Sequence, residues 1–455
     1  MTKTVHVEEG HIGKALFAFA MPVLISQLLQ ELYNAADCIM IGRFVGGDSL
    51  AAVSIAGIIL SVFINFFIGF SSGVSAISSF LFGEYEYDRL KMTITTVARF
   101  VLLLGGSFAL ITYVFNKQFL SLLECPESVM SEASLYLRVC AAGIAAQLIY
   151  NTGTSILRSL GDCKSPLICF FISVIVNVAL DILFVAAAGM GVFGAALATL
   201  IAQCLLAVLI IVKLYMLDNA YSLTLTGHEL KASEAINILK MGIPAGMQAF
   251  FMSLSSLIIQ VSIDNFGPAA MAGMSLYAKL EGVLYLPSFA YGIALTGFVG
   301  QNLGAGRRDR IIEAVRISNR VMWAVIFPLS IVITVLSPVI LKVFTTDEAI
   351  LFNAHEAVLF NLPLYIVYAL NQVYLGAIKG LGKTFYPMIC TLLSYSLFRV
   401  IWCNLLIPVF HTMRVVYLSY DVSFFIMLAL LVPVYQNLIS TSKSGSFLLD
   451  FVSCL

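Results

Sequence analysis

Three features of the sequence predict an all-α polytopic membrane protein with twelve transmembrane helices in two pseudo-symmetric six-helix lobes. They are its apolarity, the recurrence of runs long enough to span a bilayer, and an internal repeat. Of 455 residues, 60% are hydrophobic and 11% charged, with mean hydropathy +0.98. A soluble domain carries about a quarter of its residues as charges. A water-soluble fold of this length has no way to hide so much apolar surface, so lipid must be the solvent for much of it. The formal net charge is zero, which excludes the basic field of a nucleic-acid-binding protein. The nine cysteines are scattered without a CxxC pair and lie mostly in apolar runs. There cysteine acts as a small hydrophobe, and neither a disulfide framework nor a zinc site is expected. The polar start, MTKTVHVEEGHIGK, lacks a cleavable signal pattern, so the first apolar segment is expected to remain as a helix.

A spanning helix needs about 20 apolar residues. Such segments run over 14–36, 50–75, 93–115, 133–157, 166–188, 191–216, 238–262, 272–298, 317–340, 354–377, 386–409 and 415–437. The connecting loops alternate in charge. One set holds Arg89, Lys91, Arg158, Lys164, Arg307, Arg308, Arg310, Lys379 and Lys383, among others. The other holds only Arg43, Lys117, Arg138, Lys342 and Arg414. By the positive-inside rule the first set is cytoplasmic. Both termini then lie in the cytoplasm, which requires an even number of spans.

The two halves repeat each other. LAAVSI at 50–55 returns as MAGMSL at 271–276. Gly83, Asp88 and Arg89 return as Gly304, Asp309 and Arg310. LGDCKSP at 160–166 returns as LGKTFYP at 381–387. Each pair is 221 residues apart. Pro22 and Pro244 are 222 apart, a slip explained by one residue inserted near Gly46 and Gly47. Six spans per half give both halves the same orientation, a parallel repeat whose interface is the expected pathway. The expected organisation is an N-terminal lobe over 1–215, a cytoplasmic linker over 216–235, a C-terminal lobe over 236–440 and a tail over 441–455.

An ionisable side chain at membrane depth is costly and marks a functional position. At membrane depth the sequence places Asp37 in span one, Asp181 in span five, Lys279 and Glu281 in span eight and Arg399 in span eleven. Asp181 follows Asn177 by four residues, which places both on one helical face. Asp37 follows Tyr33 by four and Gln30 by seven, a second stripe. Thr199 lies in span six. Two carboxylates, an amide and a hydroxyl supply hard oxygen ligands for a small cation such as sodium, or a site for a proton. The competing reading is a polar network that only holds helices together.

The stretches DCIMIGRFVGGDSLAAVSI (37–55), NVALD (177–181), GAALAT (194–199) and GQNLGAGRRDR (300–310), with Pro22 and the paired LGD/LGK loops, resemble the multidrug and toxic compound extrusion (MATE) family, nearer its DinF-like prokaryotic branch. The resemblance covers essentially the whole chain. It implies a V-shaped pair of six-helix lobes that alternates access, and export of small organic cations or drugs in exchange for protons or sodium. It matches Asp37, Asn177, Asp181 and Thr199 to the family's N-terminal cation/proton site. Gln30, Tyr33, Tyr136 and Asn151 fall where the surrounding polar network lies. Pro22 matches a proline whose helix is proposed to bend as the site changes protonation. The C-terminal lobe departs from another branch of the family: Met252 stands where that branch carries a span-seven glutamate, and span ten, YIVYALNQVYLG, has no acid. Glu281 is a candidate replacement carboxylate in the substrate cavity. Lys279, two residues away, points elsewhere on the helix. Arg399 is expected to snorkel or to pair with an acid. Asp421, in YDVSFF, departs from the family's usual span-twelve stretch.

GQNLGAG lacks the GK[ST] of a phosphate loop and no strand precedes it. It reads as a turn before a basic helix. The chain is thus expected to be a secondary antiporter of the cell membrane, a transporter rather than an enzyme, monomeric and without a cofactor. Its partners are drugs and lipid, not nucleic acid. Two rivals remain: a lipid-linked precursor flippase of the same superfamily, which predicts additional spans and a basic cavity, and a receptor or channel.

Overall fold

The computed structural model describes residues 10–224 and 232–441. Part of the expected 216–235 linker and nearly all of the expected tail therefore lie outside the described residues, as does the start of the chain. The first half comprises α1 (Ile12–Phe44), α2 (Gly47–Gly83), α3 (Tyr87–Leu122), α4 (Glu127–Ser159), α5 (Lys164–Asp181) with a π-helical turn (Ile182–Ala187), and α6 (Gly191–Tyr215). The second comprises α7 (Ala232–Asp264), α8 (Pro268–Gly304), α9 (Arg308–Lys342), α10 (Glu348–Asn361), α11 (Tyr365–Gly380), α12 (Phe385–Thr391) with a π-helical turn (Leu392–Leu397), α13 (Phe398–Phe410) and α14 (Arg414–Thr441).

Among the described residues eleven helical spans are long and apolar enough to cross a membrane, and the pair α10–α11, bent by 55°, makes twelve when taken as one broken span. The bend has a local cause. The counterpart of α10–α11 is α4, continuous over Glu127–Ser159. At the repeat spacing, Ala142 in α4 is answered by Pro363. Proline removes a backbone donor and clashes with the preceding turn, so the helix stops at Asn361 and restarts at Tyr365. The turns that open α2 and α8 are also paired. Gly46 and Gly267 sit at φ 128° and 93°, where any side chain would be strained.

The chain forms two compact units, and these do not follow the halves of the repeat. Residues 10–20 group with Met247 onward, whereas Met21–Gly246, including the first half of α7, form the first unit. The crossings fall beside Pro22 and Pro244, each inside its helix. Two contacts account for the grouping. Gly69 and Gly73 on α2 lie directly against the backbone of Met241, Gly242, Ala245 and Gly246 on α7. In the second unit, the Arg310 guanidinium donates to the Gly10 carbonyl at 3.2 Å.

The first unit's core is built on Phe67, Phe70, Leu90, Ile94, Leu148 and Ile210, with Ile238 and Met241 of α7 joining it. Rings of Phe63, Phe66 and Phe67 pack on Phe108 at 5.4–5.6 Å. Many large apolar side chains stay outward, including Leu103, Val335 and Leu405, as expected where lipid is the solvent.

Candidate functional site

The first unit brings together side chains from three distant segments. Asp37 comes from α1, Asn177 and Asp181 from successive turns of α5, and Thr199 from α6. Asn177 is 0% exposed, Asp181 2% and Thr199 7%. The four-residue spacing in α5 aims Asn177 and Asp181 the same way. Asp181 is the last residue before the π turn, a geometry that recurs at functional positions.

The Asn177 amide lies 3.1 Å from both Asp37 Oδ1 and Asp181 Oδ2. With its nitrogen toward them, it donates one hydrogen to each. Turned over, it would present its carbonyl oxygen to two carboxyls, which is tolerable with a cation between them or with a protonated carboxyl donating to it. The shared amide brings the two carboxyls within electrostatic reach of each other. Two anions gathered on one amide repel, so the arrangement favours a proton or a cation shared between them. Asp181 Oδ1 is buried and has no partner, so the site has unused acceptor capacity. The Tyr33 hydroxyl faces Asp37 and donates to Thr199 Oγ1 at 3.4 Å, which ties the fourth residue to the group.

The outer network is uneven. Tyr136 is buried on α4 within electrostatic reach of Tyr33 and Asp37. Gln30 donates to Asn34 Oδ1 on its own helix (3.3 Å), and Asn151 donates to the Gln147 carbonyl on its own helix (3.0 Å). Both bonds are local, and neither residue reaches the carboxyl pair. Within α1, Ser26 donates to the Pro22 carbonyl at 2.8 Å. Among the described residues no group of three His, Cys, Asp or Glu side chains could hold a metal. A monovalent cation would have to use the amide and hydroxyl oxygens as well.

The remaining ionisable residues belong to the second unit. Lys279 is exposed and Glu281 half-buried. Arg399 does not snorkel. It is 5% exposed, its Nε donates to Ser423 Oγ at 2.7 Å, and its guanidinium lies over the rings of Tyr420, Tyr395 and Phe424 at 4.2, 4.7 and 5.4 Å. It forms no ion pair within 4.0 Å among the described residues. Asp421, read in the sequence only as a departure from a family pattern, is 3% exposed and within electrostatic reach of Arg399. Its four-residue spacing from Tyr417 and Phe425 reads as packing, so nothing in its own segment marks it as the neighbour of an arginine on the preceding helix.

The chain has extensive relatives. The MatE family model matches it twice, over residues 22–183 and 244–405, two ranges whose ends repeat the 222-residue spacing of Pro22 and Pro244. The protein named "Probable multidrug resistance protein YoeA" of Bacillus subtilis is 26% identical over 84% of both chains. An FAD transporter of Shewanella oneidensis is 26% identical over 75% of this chain and 76% of its own. The multidrug export protein MepA of Staphylococcus aureus is 22% identical over 83% and 84%. Among solved structures, an outward-facing multidrug resistance MATE family transporter of the MOP superfamily superposes with TM-score 0.88 at 20% identity, covering 98% of this chain and 100% of that one. A MATE structure in a bent conformation gives 0.89 at 21% identity, covering 98% and 99%.

Proposed function

Because the chain belongs to the MatE family, we propose that it is a secondary active antiporter that exports small, often cationic and amphiphilic, organic compounds by alternating access. The observation that carries the coupling chemistry is the Asp37–Asn177–Asp181 group, with Asn177 and Asp181 buried and Asp37 half-buried. The relatives named for multidrug resistance and export support the substrate class. The coupling ion is a proton or sodium. Two carboxyls held on one amide suit a shared proton, while Asn177 and Thr199 supply the oxygens that sodium would need.

In this reading an ion enters from outside, neutralises the pair and favours the state that has released substrate. Inward movement of one cation contributes about 2.3 kcal/mol per 100 mV. Exchange requires only that ion and substrate favour different conformations. Tyr33, Thr199 and Tyr136 hold the pair in place. The distribution of Lys and Arg among the loops supports cytoplasmic termini. Acids in the first unit and Met252 in α7 support the DinF-like branch, and a duplication within one chain supports a monomer.

The test is ethidium efflux from energised cells, comparing wild type with Asp37→Asn and Asp181→Asn. Both variants are expected to lose gradient-driven efflux while still reaching the membrane. Unchanged efflux in both would remove this mechanism. Vesicles given a sodium gradient without a pH gradient decide the ion.

A further inference from the structure

The second unit carries a polar cluster that the repeat relates to the first unit's site, but with different chemistry. Up to α12 the two halves keep the 221-residue spacing: buried Pro166, Cys169, Phe170 and Ser173 are answered by buried Pro387, Cys390, Thr391 and Ser394. The π turn Leu392–Leu397 then takes one more residue per turn than an α-helix. Beyond it the buried positions are 222 apart, so Asn177 and Asp181 are answered by buried Arg399 and Cys403. Arg399 thus occupies the helical face that Asn177 occupies in the first unit. Where the first unit has an amide between two acids, the second has a fixed cation.

Two acids lie around that cation. Arg399 acts electrostatically on Glu281 of α8 and on Asp421 of α14. Neither makes contact with it, since the guanidinium is held by Ser423 and three aromatic rings. One fixed cation facing two carboxyls leaves one carboxylate charge uncompensated. A buried carboxylate without a contact counter-ion or hydrogen bonds costs several kcal/mol. At Asp421, 3% exposed, the surrounding groups do not supply the missing bonds, whereas Glu281 is half-buried beside Tyr365. Asp421 Oδ1 has no partner, nor do the hydroxyls of Tyr277 and Tyr365 or either end of the Asn361 amide, which sits at the Pro363 break. Among the described residues, the titratable or charged groups around the cluster are tyrosines, Arg399 and Cys403. Tyr285 of α8 acts on Tyr365 and Tyr368. Tyr277 also comes from α8, Tyr365 and Tyr368 from α11, Tyr395 from the π turn, Arg399 and Cys403 from α13, and Tyr420 from α14. Only Arg399 is cationic, and Lys279 is exposed.

We propose that Glu281 and Asp421 hold one exchangeable proton in the second unit, with Arg399 as their fixed counter-charge. This is a second protonation site, and it does not depend on Asp37 and Asp181 being the coupling pair. Arg399 is a positioning residue; the two carboxyls carry the proton.

The test is pH-difference infrared spectroscopy of the purified full chain in lipid nanodiscs, reading the carbonyl band of protonated carboxyl groups. The Asp37→Asn/Asp181→Asn double variant removes the first unit's contribution. It is expected to keep a protonated-carboxyl band that titrates away at high pH. Adding Glu281→Gln, or independently Asp421→Asn, is expected to abolish that band. If one of these fails to fold, the other decides. Absence of the band in the double variant, or its persistence in both triple variants, overturns the proposal. A band abolished by sodium at constant pH overturns it in favour of an alkali-cation site. The fate of the Asp37 and Asp181 signal is read separately, in the Glu281→Gln single variant.

Discussion

At the scale of residues, Asn177 is the side chain on which the first unit's arrangement turns. It has no exposed surface and touches both carboxyls, so Asn177→Ala removes two hydrogen bonds and leaves buried Asp181 and half-buried Asp37 less satisfied. Each such loss costs on the order of 1–3 kcal/mol. The expected outcome is a lower apparent melting temperature in detergent together with loss of ethidium efflux. Asn151 provides the contrast. It bonds only to Gln147 on its own helix, and Asn151→Ala is expected to keep efflux within about two-fold of wild type, because a single helix-local bond is worth roughly 1 kcal/mol. Equal losses in the two variants would mean that the outer network, not the triad, is the working part. The triad was legible in the sequence because its signals are local: rare acids inside apolar runs and a four-residue spacing. Asp421 and Asn361 were not, since their importance comes from neighbours on other helices, and periodicity records which way a side chain faces but not what it meets.

At the scale of elements, close helix packing replaces hydrophobic contrast as the means of assembly. Lipid is as apolar as leucine, so helices associate where small residues let backbones approach. The α2–α7 contact is of this kind. A Cβ added at Gly73 would stand 2.5 Å from the Met241 carbonyl oxygen, with Gly242 Cα at 2.8 Å. Backbone cannot swing aside as a side-chain end can, so Gly73→Ala must separate the helices. Overpacking of this kind costs typically about 1–3 kcal/mol. Gly57, on the same helix, has nothing within 4 Å of its added Cβ, and Gly57→Ala there gains helix propensity of up to about 1 kcal/mol. Gly73→Ala is therefore expected to lower, and Gly57→Ala to keep or raise, the temperature at which detergent-solubilised protein aggregates. The same contact explains why the first half of α7 belongs with the first unit. The repeat spacing alone places that segment with the second half. Hydropathy located the spans, but it could not register a π turn, which adds one residue without changing composition.

At the scale of the whole molecule, the duplication supplies two similar six-span halves that differ at single residues with large effects. Ala142 leaves α4 continuous, while Pro363 breaks its counterpart by 55°. Asn177 is a neutral donor, while Arg399, on the equivalent face, is a permanent cation. Because six spans are expected in each half, the two halves run through the membrane in the same orientation. That orientation rests on the sorting of Lys and Arg and predicts which loops face which side. Arg307, between α8 and α9, and Thr346, between α9 and α10, are both exposed and lie at opposite ends of α9. In a chain whose nine cysteines are replaced, Thr346→Cys is expected to react with a membrane-impermeant maleimide in intact cells. Arg307→Cys is expected to react only after permeabilisation. The reverse pattern would invert the protein, place both termini outside, and require the coupling ion to reach Asp37 from the opposite side.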